Sequence, residues 1–535
     1  MKGDTIVASE NLFEASPEVV KRRRRPRKSS VPVFKHCAGN EQMLLPPNME
    51  DLIAPHHLVR VVNVVIDKMH IERLLERHYK GGGASAYVPT MMVKVITYAY
   101  CCKVYSSRQI AKALRQDVSF MWLAGMNTPD FRTINNFRSS TLKAVIGEVF
   151  TTMVAYLSAH NYIDLRHYFV DGTKIAADAN RHTPVWRKNT KRHKERLQHQ
   201  IKEHLDYIDK LTENENKEYG DHDLEELGDH TTITSTSINE LAEKLRKRIE
   251  KAESPRNRRA LKKLTTTMLP KLQQYEQQEA LLAGRNSYSR TDPDATFFRT
   301  ATGELLPMYN VMTGTQNQFV VHYSIHQKAS ETDQFISHLR GAAARFGQYP
   351  QAVVGDAAYG SEDNYRFLEA NTIANYLKYN TFHRKQKPKR FAKEQFIYDA
   401  TSDTYQCPDG RSLVLDQITP SNTPAGTPTQ LHIYASSDCT GCSLRARCTR
   451  GEGPRTLTVN PQGDLYREQA RINLESDTGI ALRIQRSTDV EPTFGDIKGN
   501  GGYRRFRLRG KEKVAIEFGL LSISHNLKKI ALKPA

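Results

Sequence analysis

Leu58-Val59, Val61-Val62, Val64-Val65-Ile66 and Met69 form an apolar run with almost no polar face, the pattern of a helix buried nearly all round. Met91-Met92-Val93, Val95-Ile96 and Tyr98 to Cys102 repeat it. Ser106-Ser107 predicts a capped helix through Ile110 and Leu114. Asn127-Thr128-Pro129-Asp130 reads as a turn, and Thr133 as the start of a helix carrying Ile134, Phe137 and Arg138. Residues 36–160 are therefore expected to be all helical. Arg108, Lys112, Arg115, Arg132 and Arg138 suit a DNA-binding domain there, and a helical dimerisation domain fits the same pattern.

The pattern then thins. Leu197, Ile201, Leu205, Ile208 and Leu211 recur at steps of three or four, as do Leu241, Leu245 and Ile249, in sequence otherwise rich in Lys, Glu, Gln and His. One narrow stripe predicts a hairpin of long helices over residues 187–285, with a mobile middle near Glu213 to Ser237. Its histidines, His193, His199 and His204 among them, read as solvated surface residues rather than metal ligands. Elsewhere the period changes. Tyr168-Phe169-Val170, Tyr309 to Met312, Phe319 to Ile325, Ala352 to Gly355 and Ile373 to Tyr379 are strand-length apolar runs. A helix is expected from about Thr332 to Phe346, and another capped by Ser361 with Glu362 and Asp363 in its first turn. Alternating strands and helices predict an α/β core.

Charge changes the picture from fold to partner. The 535 residues carry 78 Lys and Arg against 59 Asp and Glu, a formal net charge of +19. That balance points to a polyanion, nucleic acid foremost. Residues 1–35 are expected to be a disordered basic tail, with Lys21 to Lys28 reading KRRRRPRK as a weak DNA contact or a solvated charge run. No run approaches the roughly 20 apolar residues of a membrane helix, and no signal peptide is visible, so a cytoplasmic, nucleoid-associated protein is expected. Seven cysteines in this length are no disulfide scaffold. Cys37, Cys101 and Cys102 lack ligand spacing. Cys407, Cys439, Cys442 and Cys448, with one C-x-x-C among them, read either as a zinc-ribbon-like Cys-rich insert over residues 385–460 or as four reduced thiols.

The candidate chemistry lies in three acids. Asp171 and Asp356 each end an apolar strand run, where a carboxylate is costly unless satisfied. Glu491 opens a short predicted helix in a cationic neighbourhood. Three carboxylates without His or Cys favour Mg²⁺ or Mn²⁺, and two such ions about 3.5–4 Å apart clamp an in-line phosphoryl displacement. Arg486 and Lys498 are expected to contact phosphates, Lys498 from the helix face of Glu491. Gly495 is expected to admit a DNA backbone. In Tyr503 to Gly510, Phe506 and Leu508 should pack inward and present Arg504, Arg505, Arg507 and Arg509 to DNA. Asp178, Asp333, Asp363, Asp496 and Glu517 are rival acids; Asp496 should face away from Glu491, and Glu517 should pair with a cation on an amphipathic C-terminal helix.

Asp171-Gly172-Thr173-Lys174-Ile175, Asp356-Ala357-Ala358-Tyr359-Gly360-Ser361 and Glu491-Pro492-Thr493-Phe494-Gly495-Asp496-Ile497-Lys498 resemble the DDE transposases of bacterial insertion sequences. Tyr309-Asn310-Val311, Tyr379 to Phe382, His525 to Lys529 and, in the helical region, Ser106-Ser107-Arg108 and Pro129-Asp130 extend the resemblance over about residues 36–531. It implies an RNase H-like catalytic domain over 161–535, a mixed sheet flanked by helices and interrupted by the helical and Cys-rich inserts. It implies that Asp171, Asp356 and Glu491 hold two Mg²⁺ or Mn²⁺ ions. It further implies a homodimer on DNA that binds terminal inverted repeats, hydrolyses the element ends and joins each 3′-OH to target DNA. A metal-dependent nuclease without strand transfer and an inactive DNA-binding descendant are the alternatives. Arg483 stands where the family has a Tyr, and Ala358 replaces a usual Gly.

Overall fold

In the computed structural model, residues 48–77, 86–219, 233–249, 255–300, 302–382, 391–449 and 451–533 are described; the basic tail and Cys37 lie outside them. Seven helices come first: α1 (Leu58–Lys68), α2 (Glu72–Glu76), α3 (Pro89–Cys101), α4 (Ser107–Ala113), α5 (Val118–Leu123), α6 (Phe131–Ser139) and α7 (Thr141–Ala159). Pro89 starts α3, where a missing N–H costs no bond, and ten of its 13 residues are buried. Asp117 caps α5 and Asp130 caps α6, the latter accepting from the Thr133 N–H at 2.7 Å. Ser106 stands at the start of α4 without the side-chain cap expected of it. The 19 residues of α7 are long and apolar enough to cross a membrane, more than the sequence runs suggested. Leu142, Val145, Val149, Phe150, Met153 and Leu157 account for that composition by packing into the core.

The central sheet follows. β1 (His167–Ala176) leads to β2 (Pro184–Trp186) and the insert helices α8 (Arg187–Tyr219), α9 (Ser235–Ile249), α10 (Pro255–Lys263) and α11 (Leu269–Leu282). The stripe Leu197, Ile201, Leu205 and Ile208 is buried against Ile238, Leu241, Leu264 and Leu272. Of the expected mobile middle, 213–219 belong to α8 and 235–237 to α9, while 220–232 lie outside the described residues. β3 (Ser287–Ser289) pairs with β2 and closes the base of these helices. Then come β4 (Thr296–Arg299), β5 (Leu305–Gln316), β6 (Phe319–His326), α12 (Phe335–Phe346), β7 (Ala352–Gly355), α13 (Glu362–Ala370) and β8 (Ala374–Leu377). The strand order is β6-β5-β1-β7-β8, with β4 beside the first half of β5. β1 runs antiparallel to β5 and parallel to β7. Asn317 and Gln318 join β5 to β6 with φ of 53° and 65°, a two-residue turn whose twist matches the strands it links. Gly314 lets the Tyr168 ring lie across β5, since a Cβ there would stand 1.9 Å from the ring.

Residues beyond 396 build a second sheet from β9 (Ile397–Asp399), β10 (Thr404–Gln406), β11 (Ser412–Asn422), β12 (Pro428–Ser436) and β13 (Thr456–Val459), in the order β13-β12-β11-β10-β9. The short α14 (Arg445–Cys448) lies between its last two strands. Three helices end the chain: α15 (Pro461–Glu475), α16 (Asp477–Phe494) and α17 (Lys511–Leu532). The sequence suggested an amphipathic α17, but 14 of its 22 residues are buried. It lies between α3 and α7 on one side and β6 on the other, so both its faces are covered. Asn526 donates to the Val320 carbonyl at 2.9 Å and accepts from its N–H at 2.8 Å, satisfying a strand edge that a helix alone would leave orphaned.

Under the sheet, a buried histidine cluster is held neutral. His338 bonds the Tyr168 hydroxyl at 2.7 Å and the Ser324 hydroxyl at 2.6 Å, and Ser324 also bonds His326. Burial pushes His338 down to about 3 and His326 down to about 4, with Lys511 adding to the latter. His322 is likewise driven down by burial, by His338 and by Arg345, whose Nε donates to it. These folded values lie below the unfolded value, so the unfolded chain takes up protons first. The cluster's contribution is complete above about pH 6.5 and is lost as pH falls from there toward 4. Thermal unfolding from pH 7.5 to 4.5 should show this loss, with a flatter pH dependence in His338→Gln; an unchanged slope would exclude the cluster as its source.

Candidate functional site

β1 and β7 pair in parallel through Phe169 and Val354, and extending that register by two residues sets Asp171 beside Asp356. Asp356 ends β7, as the sequence suggested. Asp171 does not end its strand, for β1 continues to Ala176 against β5. Its parallel neighbour stops instead, which opens one side of Asp171 to α16. From α16, Arg486 places one guanidinium nitrogen 3.3 Å from Asp171 and 4.0 Å from Asp356. The Arg486 and Asp171 side chains are 12% and 20% exposed, that of Asp356 41%. Burial pushes the Asp171 carboxyl up to about 6, against the opposing pull of Arg486 and the Gly172 N–H. Asp356 accepts from the Ala358 N–H at 2.9 Å.

Sequence reasoning missed Glu331, in the turn between β6 and α12. The Tyr359 hydroxyl donates to it at 2.9 Å, and a Cβ on Gly172 would stand 2.5 Å from its carboxyl carbon. Burial raises its pKa, and Asp356 adds to the rise. The available signal was an acid directly ahead of a helix that follows a central strand, a position at which only Asp333 was weighed. Asp333 itself is exposed, and Asp363 accepts from Thr423 in the second sheet.

Glu491 does not open a helix; it lies 15 residues into α16. It is exposed and has no hydrogen-bond or ion-pair partner among the described residues. Asp489, two residues earlier, is the buried acid, and it accepts from the Gln318 N–H in the β5–β6 turn. Lys498 does not share the face of Glu491. It turns to β1 and donates to Thr173 at 2.9 Å and to the Lys174 carbonyl at 3.1 Å. Between the two stand Pro492 and a wider π-type turn over Gly495–Asn500, which alters the angle per residue. Gly495 meets nothing within 4 Å of a built Cβ, so its surroundings leave room for a close approach. Arg483, where the resemblance expects Tyr, lies over the Phe382 ring at 5.1 Å. Asp496 pairs with His525 at 2.9 Å and Lys528; burial pushes its carboxyl up, but these two partners outweigh it and hold it well below the usual range.

The arginine segment bridges to the end of β1, the Phe506 N–H donating to the Ala176 carbonyl at 2.8 Å. Phe506 is buried while Arg504, Arg505, Arg507 and Arg509 are exposed. Arg505 and Arg509 share Asp178, at 3.3 and 2.9 Å, so this rival acid serves as their counter-ion. Arg507 stands over the Tyr105 ring. Glu517 does not pair with a cation side chain; it accepts from the Arg507 and Leu508 N–H groups at 2.8 and 2.9 Å.

Cys407, Cys439, Cys442 and Cys448 line one small cavity beside the second sheet, all of them free thiols. Tight turns present them: the Gly410 N–H donates to the Cys407 carbonyl at 2.8 Å, and the Arg455 N–H donates to the Cys439 sulfur at 3.4 Å. Burial, with the other three sulfurs nearby, raises the Cys448 thiol. Among the described residues, no three His, Cys, Asp or Glu side chains stand close enough to hold a metal ion as they are. At the aspartates, Arg486 fills the space between the two acids. The donor sets nevertheless fit cations of different kinds, hard oxygens at Asp171 and Asp356 and soft sulfurs at the four cysteines.

Comparison with known families bears on both ends of the chain. Residues 406–531 match a family model described as Transposase DDE domain, a stretch that contains Arg486, Glu491 and Lys498. Residues 47–140 match Transposase domain (DUF772), which spans α1 to α6. No curated protein matches the chain. An N-terminal transposase domain and a DDE domain, in one chain whose sheet sets two aspartates side by side, place this protein among the DDE transposases of insertion sequences.

Proposed function

We propose that this transposase binds the terminal inverted repeats of its insertion sequence as a homodimer, cleaves the element ends and joins each 3′-OH to target DNA. The observation that carries this reading is the pairing of Asp171 with Asp356 on adjacent parallel strands, both within reach of Arg486. The order β6-β5-β1-β7-β8, with helices following the parallel strands, supports an RNase H-like core. Asp171, Asp356 and Glu491 would hold Mg²⁺ or Mn²⁺, which supplies Lewis-acid stabilisation to phosphodiester cleavage and strand transfer. Glu491 has no partner to give up before doing so. Arg486, released from the aspartates, and Lys498 at the end of β1 would hold phosphate, with Arg504, Arg505, Arg507 and Arg509 extending the cationic track. Neither step needs a covalent protein–DNA bond, so no Ser or Tyr nucleophile is required.

Incubation with terminal-repeat DNA, plasmid target and Mg²⁺ tests the reading. Joined products are expected; cuts alone would make the protein a nuclease, and a gel shift alone a DNA binder. Glu491→Gln should keep end-binding and lose cleavage, and full cleavage by it would remove Glu491 from the centre.

The four cysteines would hold a structural zinc ion that ties α14 to the second sheet. Elemental analysis should find one zinc per chain, lost in Cys442→Ser with a lowered melting temperature. A metal-free native protein, equally stable after the substitution, would make them four ordinary thiols.

A further inference from the structure

We propose that Glu331 is a further acidic group of the catalytic centre and holds the divalent cation together with Asp171 and Asp356; this rests on the transposase reading of that centre. Its turn is tied to the loop that leaves Asp356. The Thr332 hydroxyl donates to the Ala358 carbonyl at 2.5 Å, and the Asn364 amide to the Thr332 carbonyl at 3.3 Å. The carboxylate lies over Gly172, the residue after Asp171. A Cβ there would stand 2.5, 2.6 and 2.8 Å from its carbon and two oxygens. Gly172 has no left-handed backbone that would call for glycine. What excludes a side chain at 172 is the acid.

Glu331 is poorly compensated. Its one hydrogen bond comes from the Tyr359 hydroxyl, and among the described residues no cation stands within ion-pair distance of it. Around it, Asp171 and Asp356 share the single guanidinium of Arg486. Three carboxylates against one guanidinium leave an excess of negative charge, and all the donors are oxygen. Like charges so gathered repel one another unless a cation joins them, and hard oxygen donors select a divalent one. A purely structural Glu331 would serve its hydrogen bond to Tyr359 equally well as glutamine.

The test is Mn²⁺ binding to the full-length protein by isothermal titration, with electron paramagnetic resonance of free Mn²⁺ as a second readout. Asp171→Asn, Glu331→Gln and Gly172→Ala are compared with the native chain. Gly172→Ala keeps every charge but pushes the Glu331 carboxylate aside, and so reports even if Glu331→Gln folds poorly. Glu331→Gln and Gly172→Ala should each weaken Mn²⁺ binding by about tenfold or more, with melting temperatures of the metal-free protein unchanged. Native-like Mn²⁺ affinity in both, with affinity lost in Asp171→Asn, would overturn the role of Glu331 and leave the centre standing. Native-like affinity in Asp171→Asn as well would overturn the centre itself.

Discussion

Asp171→Asn is expected to abolish cleavage while leaving the fold as stable as before, or more so. Partners that merely orient a metal ligand are worth about 10–100-fold, so a direct ligand should cost at least about 100-fold in cleavage rate. Stability moves the other way. Burial raises the Asp171 carboxyl to about 6, above its unfolded value. A carboxylate shifted upward opposes folding above its folded pKa and ceases to do so as pH falls below it. Asparagine removes the charge and keeps the shape, and Arg486 retains Asp356. The expected result is therefore a transposase that binds its DNA ends, melts at or above the native temperature at pH 7.5, and does not cut. Asp356→Asn should likewise lose cleavage. A variant that cuts at the native rate would remove that aspartate from the chemistry; one that loses cleavage only by unfolding would show it in the melting curve.

Glu517→Ala is expected to be the most damaging change outside the centre. Glu517 is fully buried and accepts from two backbone N–H groups that end the arginine segment. Arg138, on α6, lies buried in the same network and bonds the Tyr105 carbonyl at 3.1 Å. Removing the acid orphans both N–H groups and leaves the Arg138 charge without its counterpart, a loss on the order of 3–5 kcal/mol. Glutamine retains an acceptor and should cost less. Chemical denaturation of Glu517→Ala, Glu517→Gln and the native protein checks the ranking, and equal stability of the alanine variant would show that the network carries no net energy.

Local signals were legible where a residue's own neighbours decide its structure. The Asp130 and Ser361 caps, the buried stripe from Leu197 to Ile208, and the strand ending at Asp356 could be read from sequence because each depends on a few adjacent positions. The inward Phe506 between outward arginines followed from simple alternation. What escaped was set by distant partners. Glu331 joins the aspartates only because β6 and α12 fold back beside β7. Glu517 looked like one side of an ion pair until the chain brought two unpaired N–H groups to it. The exposure of Glu491 reflects a helix continuing where a new one was expected, and Lys498 departs from its face because the turn widens after Pro492. Helix period is local, but helix phase relative to a sheet is not.

Because α17 is wedged between α3, α7 and β6, the N-terminal helices wait for the other end of the chain. On a ribosome adding about 5–20 residues per second, the roughly 350 residues between α7 and α17 take on the order of tens of seconds to appear. Through that interval the apolar sides of α3 and α7 have no mate, and the strand edge at Val320 lacks the Asn526 amide that will close it. Synthesis therefore passes through a long, adhesive stage before the catalytic sheet can close. The molecule becomes competent in one late step rather than domain by domain.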